Sequence, residues 1–188
     1  MSRKTSVHAS AVLVGKRAVL IRGPSGAGKS RLAFDLILAG RSGQLAPAIL
    51  VADDRVYLDT AGEQLWVRPV PELAGLIEVR GLGIRHCEFV AEAIVGLVID
   101  LAAEDAERLP PPDALKMCID GVLLPRIPVA AGFQPLPLVV AALTTTESSY
   151  SRNLAADCGK RIGNHITSTI ASDLVGAASP LYRQDQGD

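Results

Sequence analysis

Gly23-Pro24-Ser25-Gly26-Ala27-Gly28-Lys29-Ser30 is the stretch on which the reading of this chain turns. The octapeptide fits G-x-x-x-x-G-K-[ST] in full, and its neighbours supply the context the motif needs. Ala18 to Ile21, just before it, read as an apolar strand. After it, Leu32, Ala33, Leu36, Ile37 and Ala39 recur at helical spacing until Gly40, a natural stop. A strand that passes through glycines into a helix makes a phosphate cradle. Glycines let the loop wrap tightly and aim successive backbone N–H groups at phosphate oxygens. The helix that follows adds its positive N-terminal end. Lys29 supplies a point charge for β- and γ-phosphates, and the Ser30 hydroxyl can ligate Mg²⁺. All eight residues, Gly23 to Ser30, are therefore expected to bind the phosphates of ATP.

Working outward, Val7 to Val14 read as an opening strand and Gly15-Lys16-Arg17 as a turn. Arg41 to Pro47 is a loop, and Ile49 to Ala52 a short apolar strand. Arg55 to Thr60 and Leu65 to Val70 flank a hairpin turn, and Ile94 to Leu101 is a buried strand. Glu104 to Asp113, with Pro110 to Pro112, should be an exposed loop. Val122 to Val129 carries Pro125 and Pro128 and suits an edge strand at best. Pro137 to Thr144 can open a helix, with proline near its first turn. Beyond it, Ile166 to Ala177 has amphipathic spacing and Pro180 to Asp188 reads as a frayed tail. The expected fold is α/β: one P-loop domain over 1–145, with a central β-sheet, the P-loop at its carboxyl edge and few helices. Residues 146–188 are expected as an extension, helical and then disordered.

Ile49-Leu-Val-Ala-Asp53-Asp54 places two carboxylates at the end of an apolar strand. In P-loop enzymes such a carboxylate holds Mg²⁺. Two adjacent ones can divide the labour, one as base toward the phosphoryl acceptor and the other facing the metal. The plainer alternative is a pair of aspartates capping a turn; the company of the P-loop favours metal or base.

The 188 residues are 48 % hydrophobic, enough for a real core. A net charge of −1 with scattered basic residues gives no reason to expect nucleic acid or an anionic membrane as partner. No apolar run has the length of a membrane span, and Met1 to Ser10 lacks the apolar core of a signal peptide. Cys87, Cys118 and Cys158 are dispersed and odd in number, which suits reduced thiols in the cytoplasm.

In this order, the pieces resemble the HPr kinase/phosphorylase family of bacteria. His8-Ala9 stands fifteen residues before the P-loop. Leu50-Val-Ala-Asp-Asp-Arg-Val56 follows the P-loop helix, and Leu76-Ile-Glu-Val-Arg-Gly-Leu-Gly-Ile84 is similar to the family's signature block. That block is the most specific, because a generic P-loop protein has no reason to carry it. The resemblance covers about residues 7–129. The N-terminal domain of longer members has no counterpart here, and the segment between Glu78 and Arg108 is shorter. The family stretch Pro-Val-x-Pro-Gly-Arg reads Pro128-Val-Ala-Ala-Gly-Phe133. Phe133 stands where the arginine tied to dephosphorylation would be, so the resemblance carries kinase activity across and leaves phosphorylase activity unsupported.

The resemblance implies transfer of the γ-phosphoryl of ATP to a serine of HPr or a related carrier of the phosphotransferase system. It makes Asp53 the general base, with His8 beside it, and Lys29 the phosphate clamp. Ser30, Asp54 and Glu78 become the Mg²⁺ site. Arg108, aligned through Glu107-Arg108-Leu109, steadies charge on the phosphoryl group in transit. Longer members assemble as hexamers, which offers an oligomeric state for this chain. His86 and His165 match nothing in the family and read as structural. Two rival functions share the P-loop: a small-molecule kinase, against which the Leu76 to Ile84 block argues, and a non-catalytic nucleotide or phosphate sensor, against which Asp53, Asp54 and Glu78 argue.

Overall fold

Eleven strands and two α-helices occur among residues 5–146, the part of the chain that the computed structural model describes. The extension expected over 146–188, with its amphipathic stretch, its tail, Cys158 and His165, lies beyond residue 146 outside the described residues. The expected opening strand divides at Ala9 into β1 (Val7–His8) and β2 (Ser10–Val14), because the two parts pair with different partners. Gly15 and Lys16 turn the chain into β3 (Arg17–Arg22), which delivers the P-loop and then α1 (Lys29–Arg41). β4 (Ala48–Ala52) follows, then the hairpin β5 (Arg55–Ala61) and β6 (Gln64–Pro69). Leu76–Val79 and Gly83–His86 form β7 and β8, a separate two-stranded sheet. β9 (Ala93–Leu101), β10 (Lys116–Ile119), β11 (Val122–Val129) and α2 (Pro135–Thr144) complete the described chain.

The main sheet runs β1-β5-β6-β9-β3-β2-β4, with β11 joined to β9 and β10 to β11. β3 and β11 are both parallel to β9, so Arg22, Leu101 and Val129 close three strands at one edge. The P-loop leaves from that edge, as the α/β reading expected. Leu32 and Leu36 of α1 are fully buried among Val12, Ile21, Leu50 and Ile99. Each such leucine contributes about 2 kcal/mol by leaving water. The opposite face of the sheet packs Ala11, Leu20, Val51, Val67 and Val98 into a second cluster.

β9 contributes to both clusters, and its alternation shifts partway along. Val95 faces the second cluster and Leu97 the first, although side chains two apart normally share a face. The register against β3 slips by one residue there, from Ala18↔Val95 to Val19↔Leu97, which is a β-bulge at Gly96. A Cβ at Gly96 would lie 2.6 Å from Arg17 Cβ.

β11 keeps the edge character that its prolines suggested, with one neighbour at each position. It is eight residues long and exchanges partners midway, with β10 opposite Val122 to Pro125 and β9 opposite Arg126 to Val129. Pro125 and Pro128 thus each lie in a half whose register involves one neighbour. β10 escaped the sequence reading, since Lys116–Ile119 is short, opens on a lysine and is preceded by prolines.

Asp100, next to last in β9, joins all three parallel strands. It is 8 % exposed and accepts Nε and Nη2 of Arg22 at 2.7 and 2.9 Å, and Nε of Arg126 at 2.5 Å. Burial pushes its carboxyl upward, but the hydrogen bonds from Arg22 and Arg126 outweigh that and hold it below the usual range. A depressed folded pKa contributes stability that is present above the unfolded value of about 3.9 and lost as pH falls through the folded one.

Two stability outcomes are expected. Asp100→Asn should cost about 3 kcal/mol in urea titrations at pH 7, with the gap to wild type narrowing below about pH 4. Gly96→Ala should lower stability by roughly 1–3 kcal/mol, the range for steric overpacking, although glycine to alanine in a strand ordinarily gains about 0.5–1 kcal/mol.

Candidate active site

The P-loop is held open by backbone geometry. Gly23, Gly26 and Gly28 all have positive φ, at 141°, 78° and 96°. Gly23 is also pressed against the end of β9, where a Cβ would lie 2.7 Å from the Leu101 carbonyl oxygen. Any side chain there would lift the loop from the sheet. The Ala27 amide donates to the Pro24 carbonyl at 3.2 Å, closing the turn, and Leu32 N donates to Gly28 O at 2.9 Å as the helix begins. Pro24, Ser25 and Gly26 are exposed at the rim, and Ser30 is half-buried in the first turn of α1. That turn contains no acidic residue, so no side chain of its own offsets its positive end.

Lys29 is buried, and its Nζ donates to the Gly23 and Pro24 carbonyls at 3.1 and 2.9 Å. Burial pulls its pKa below the ordinary lysine value; Asp54, and after it Asp53, pull the other way. The two aspartates therefore lie within electrostatic reach of the P-loop lysine.

Asp53 and Asp54 follow β4 at a bend where the backbone reverses, with Asp54 at φ 68°. Aspartate tolerates this left-handed conformation better than most residues. The reversal sends the two side chains apart. Asp53 is 3 % exposed and accepts the Ser10 hydroxyl on Oδ1 at 2.5 Å and the Glu78 amide on Oδ2 at 3.1 Å. The side chain of Asp54 is 63 % exposed, and its Oδ1 lies 3.3 Å from His8 Nε2. His8 thus meets Asp54, whereas the sequence reading put it beside Asp53. The cause is register: β1 pairs with β5 so that His8 lies opposite Arg55, next to Asp54.

Glu78, on β7, is exposed, and its amide ties that strand to Asp53. No group of three or more His, Cys, Asp or Glu side chains arranged for a metal occurs among the described residues. Ser30, Asp54 and Glu78 offer one hydroxyl and two carboxylates, all oxygen. That set suits Mg²⁺, which is held by one or two carboxylates together with phosphates and water. Arg108 is exposed on the segment between β9 and β10 and forms no hydrogen bond or ion pair with another described residue.

Sequence reading missed two groups. Ser10 carried no signal, being one small residue in an apolar strand. Asp100 did carry one, since it nearly closes an apolar run; Arg22 and Arg126 could be assigned to it only from the parallel pairing. These residues, with Gly23, Leu101 and Asp105, border a cleft of about 550 Å³ beside the P-loop. No helix among the described residues is long and apolar enough to cross a membrane. Cys87 and Cys118 are both free thiols.

Residues 1–148 match the family described as HPr Serine kinase C-terminal domain. An HPr kinase/phosphorylase of Exiguobacterium is 31 % identical over 179 residues, covering 88 % of this chain and 55 % of that protein. One of Streptococcus pneumoniae is 31 % identical over 189 residues, covering 93 % and 57 %. The chain thus spans a little over half the length of the curated relatives it matches. The solved structure of the Hpr(Ser) kinase/phosphatase from Coxiella burnetii superposes with a TM-score of 0.59 at 27 % identity, covering 82 % of this chain and 99 % of that one. With P-loop, paired aspartates and Glu78 assembled on this fold, the chain belongs to the HPr serine kinase C-terminal domain family.

Proposed function

We propose that this chain is an ATP-dependent protein serine kinase of the cytoplasm whose acceptor is HPr or a related phosphocarrier. The observation that carries the reading is the position of Asp53 and Asp54 in the field of Lys29, the lysine of a complete P-loop. Names of the relatives point to the same acceptor.

The Gly23 to Gly28 amides and the start of α1 would bind the ATP phosphates. Lys29 would exchange its bonds to two neutral carbonyls for charge-assisted bonds to β- and γ-oxygens, roughly twice as strong. Ser30, Asp54 and Glu78 would hold Mg²⁺, which supplies charge neutralisation at the phosphates. In the transfer a bond forms from the serine oxygen to the γ-phosphorus while the bond to the β,γ-bridging oxygen breaks, and ADP leaves. The serine proton passes to Asp53. Ser10 and the Glu78 amide fix the plane of that carboxylate, and each oxygen, with a single donor, keeps a lone pair. Arg108 would meet the charge developing on the phosphoryl group.

A second assignment has an observation of its own. Asp54 is the exposed member of the pair and has His8 against it, so Asp54 can be the proton acceptor and Asp53 its brace. The dephosphorylating activity in the relatives' names is not carried over, because Phe133, 69 % exposed after β11, provides no charge for phosphate. The hexamer of longer members stays a proposal for this chain.

Incubation with Mg-ATP and an HPr-type carrier, read by mass spectrometry, should place phosphate on a serine of the carrier. ATP binding without carrier phosphorylation would instead favour the small-molecule kinase or the sensor. Lys29→Ala should lower kcat/KM by at least about a hundredfold, as losing a main electrostatic contact to the transferred group does. The same variant should be no less stable than wild type in thermal melts, because it removes a buried charge that burial already disfavours.

A further inference from the structure

An aspartate closing an apolar strand beside the P-loop strand has the form of a metal-holding carboxylate in P-loop NTPases. Asp100 has that form. It lies in β9, parallel to β3 and opposite Arg22, one residue before the P-loop. Two guanidinium groups take up both its oxygens, however, Arg22 on Oδ1 and Oδ2 and Arg126 on Oδ2. Two cations on one buried carboxylate outweigh its single negative charge and leave no free charge to draw Mg²⁺.

Arg126 does more than neutralise Asp100. Its Nη1 and Nη2 donate to the Asp105 carboxylate at 2.6 and 2.9 Å, and Nη1 also to the Ala114 carbonyl at 3.0 Å. Its backbone amide donates to Leu115 O at 2.8 Å. One side chain, 12 % exposed, therefore fastens both ends of the segment from Asp105 to Ala114. Arg108 lies within that segment, exposed and without a described partner. A planar fork filled on nearly every donor is a rigid fixture, which a lysine would not reproduce.

We propose that Asp100 and Arg126 are positioning residues: they fasten the Asp105–Ala114 segment to the root of the P-loop and so set where Arg108 meets the transferred phosphoryl group. The role of Arg108 rests on the kinase reading above; the fastening does not.

Arg126→Lys is the informative variant, because it keeps the charge and loses the fork. Asp100→Asn should act in the same direction, and Arg126→Lys serves alone where that variant does not fold. In hydrogen exchange, the hydrogen-bonded amides of Ala103, Ala106, Ala114 and Leu115 should exchange at least about tenfold faster in Arg126→Lys, with α1 unchanged, as expected for local opening. In phosphotransfer to the carrier, kcat should fall roughly ten- to a hundredfold, the scale of a misplaced catalytic group, while KM for ATP stays within about twofold. Added to Arg108→Ala, Arg126→Lys should lower kcat by less than about twofold more, because coupled residues are not additive. Unchanged exchange at those four amides would overturn the fastening. Losses that multiply in the double variant would overturn the link to Arg108. If wild type transfers no phosphate, the kinase reading and the role of Arg108 fail together, and the exchange measurement alone judges the fastening.

Discussion

The carboxylate of Asp53 is the knot of this site. Its two oxygens accept the hydroxyl of Ser10 from β2 and the amide of Glu78 from β7. Hydrogen bonds to an ionised group contribute about 1.5–3 kcal/mol each, so this one side chain joins the main sheet to the small β7–β8 sheet. Glu78 is carried to the site by the same bond, since its amide is the donor. The reversal at Asp54 then follows: with Asp53 turned inward, the left-handed residue after it presents its carboxylate outward, toward His8. A buried carboxylate and an exposed one, adjacent in sequence, thus receive different environments from a single bend.

Lys29 lies in the field of this pair and is bound by its own loop. Its contacts to the Gly23 and Pro24 carbonyls keep a buried ammonium solvated, which is what burial demands of a charge. The P-loop is in turn braced at its root. Gly23 leans on Leu101, and Arg22 just before it grips Asp100. The P-loop therefore inherits its shape from the parallel strands β3 and β9. Arg126 extends the bracing from β11 to the segment that carries Arg108.

Much of this was legible because the signals were local. The P-loop, its strand and its helix follow from one octapeptide and a helical repeat, and α1 begins at Lys29 as the spacing required. Asp53 and Asp54 were legible as a pair at a strand end. Which of them faces outward was not, since that depends on a φ of 68° and on the pairing of β1 with β5. The same pairing moved His8 from Asp53 to Asp54. Ser10 and the Glu78 amide were hidden because a serine in an apolar strand and a backbone N–H look ordinary until a carboxylate is folded onto them. The edge character of β11 was legible from its prolines, but its exchange of partners midway was not. The bulge at Gly96 lies in register, which no single strand encodes.

The claim on which the rest turns is that Asp53 is held for chemistry and that Asp54 serves the metal. Single-turnover transfer to the carrier, measured for Asp53→Asn and Asp54→Asn at saturating Mg²⁺ and beside nucleotide titrations, tests it directly. The account predicts that Asp53→Asn binds ATP within a few fold of wild type and slows transfer by roughly 10²–10⁴-fold, the scale of a lost general base. For Asp54→Asn it predicts a rate that recovers as Mg²⁺ is raised. Fast transfer in Asp53→Asn, with a loss in Asp54→Asn that no Mg²⁺ concentration repairs, would contradict it and make Asp54 and His8 the proton-handling pair.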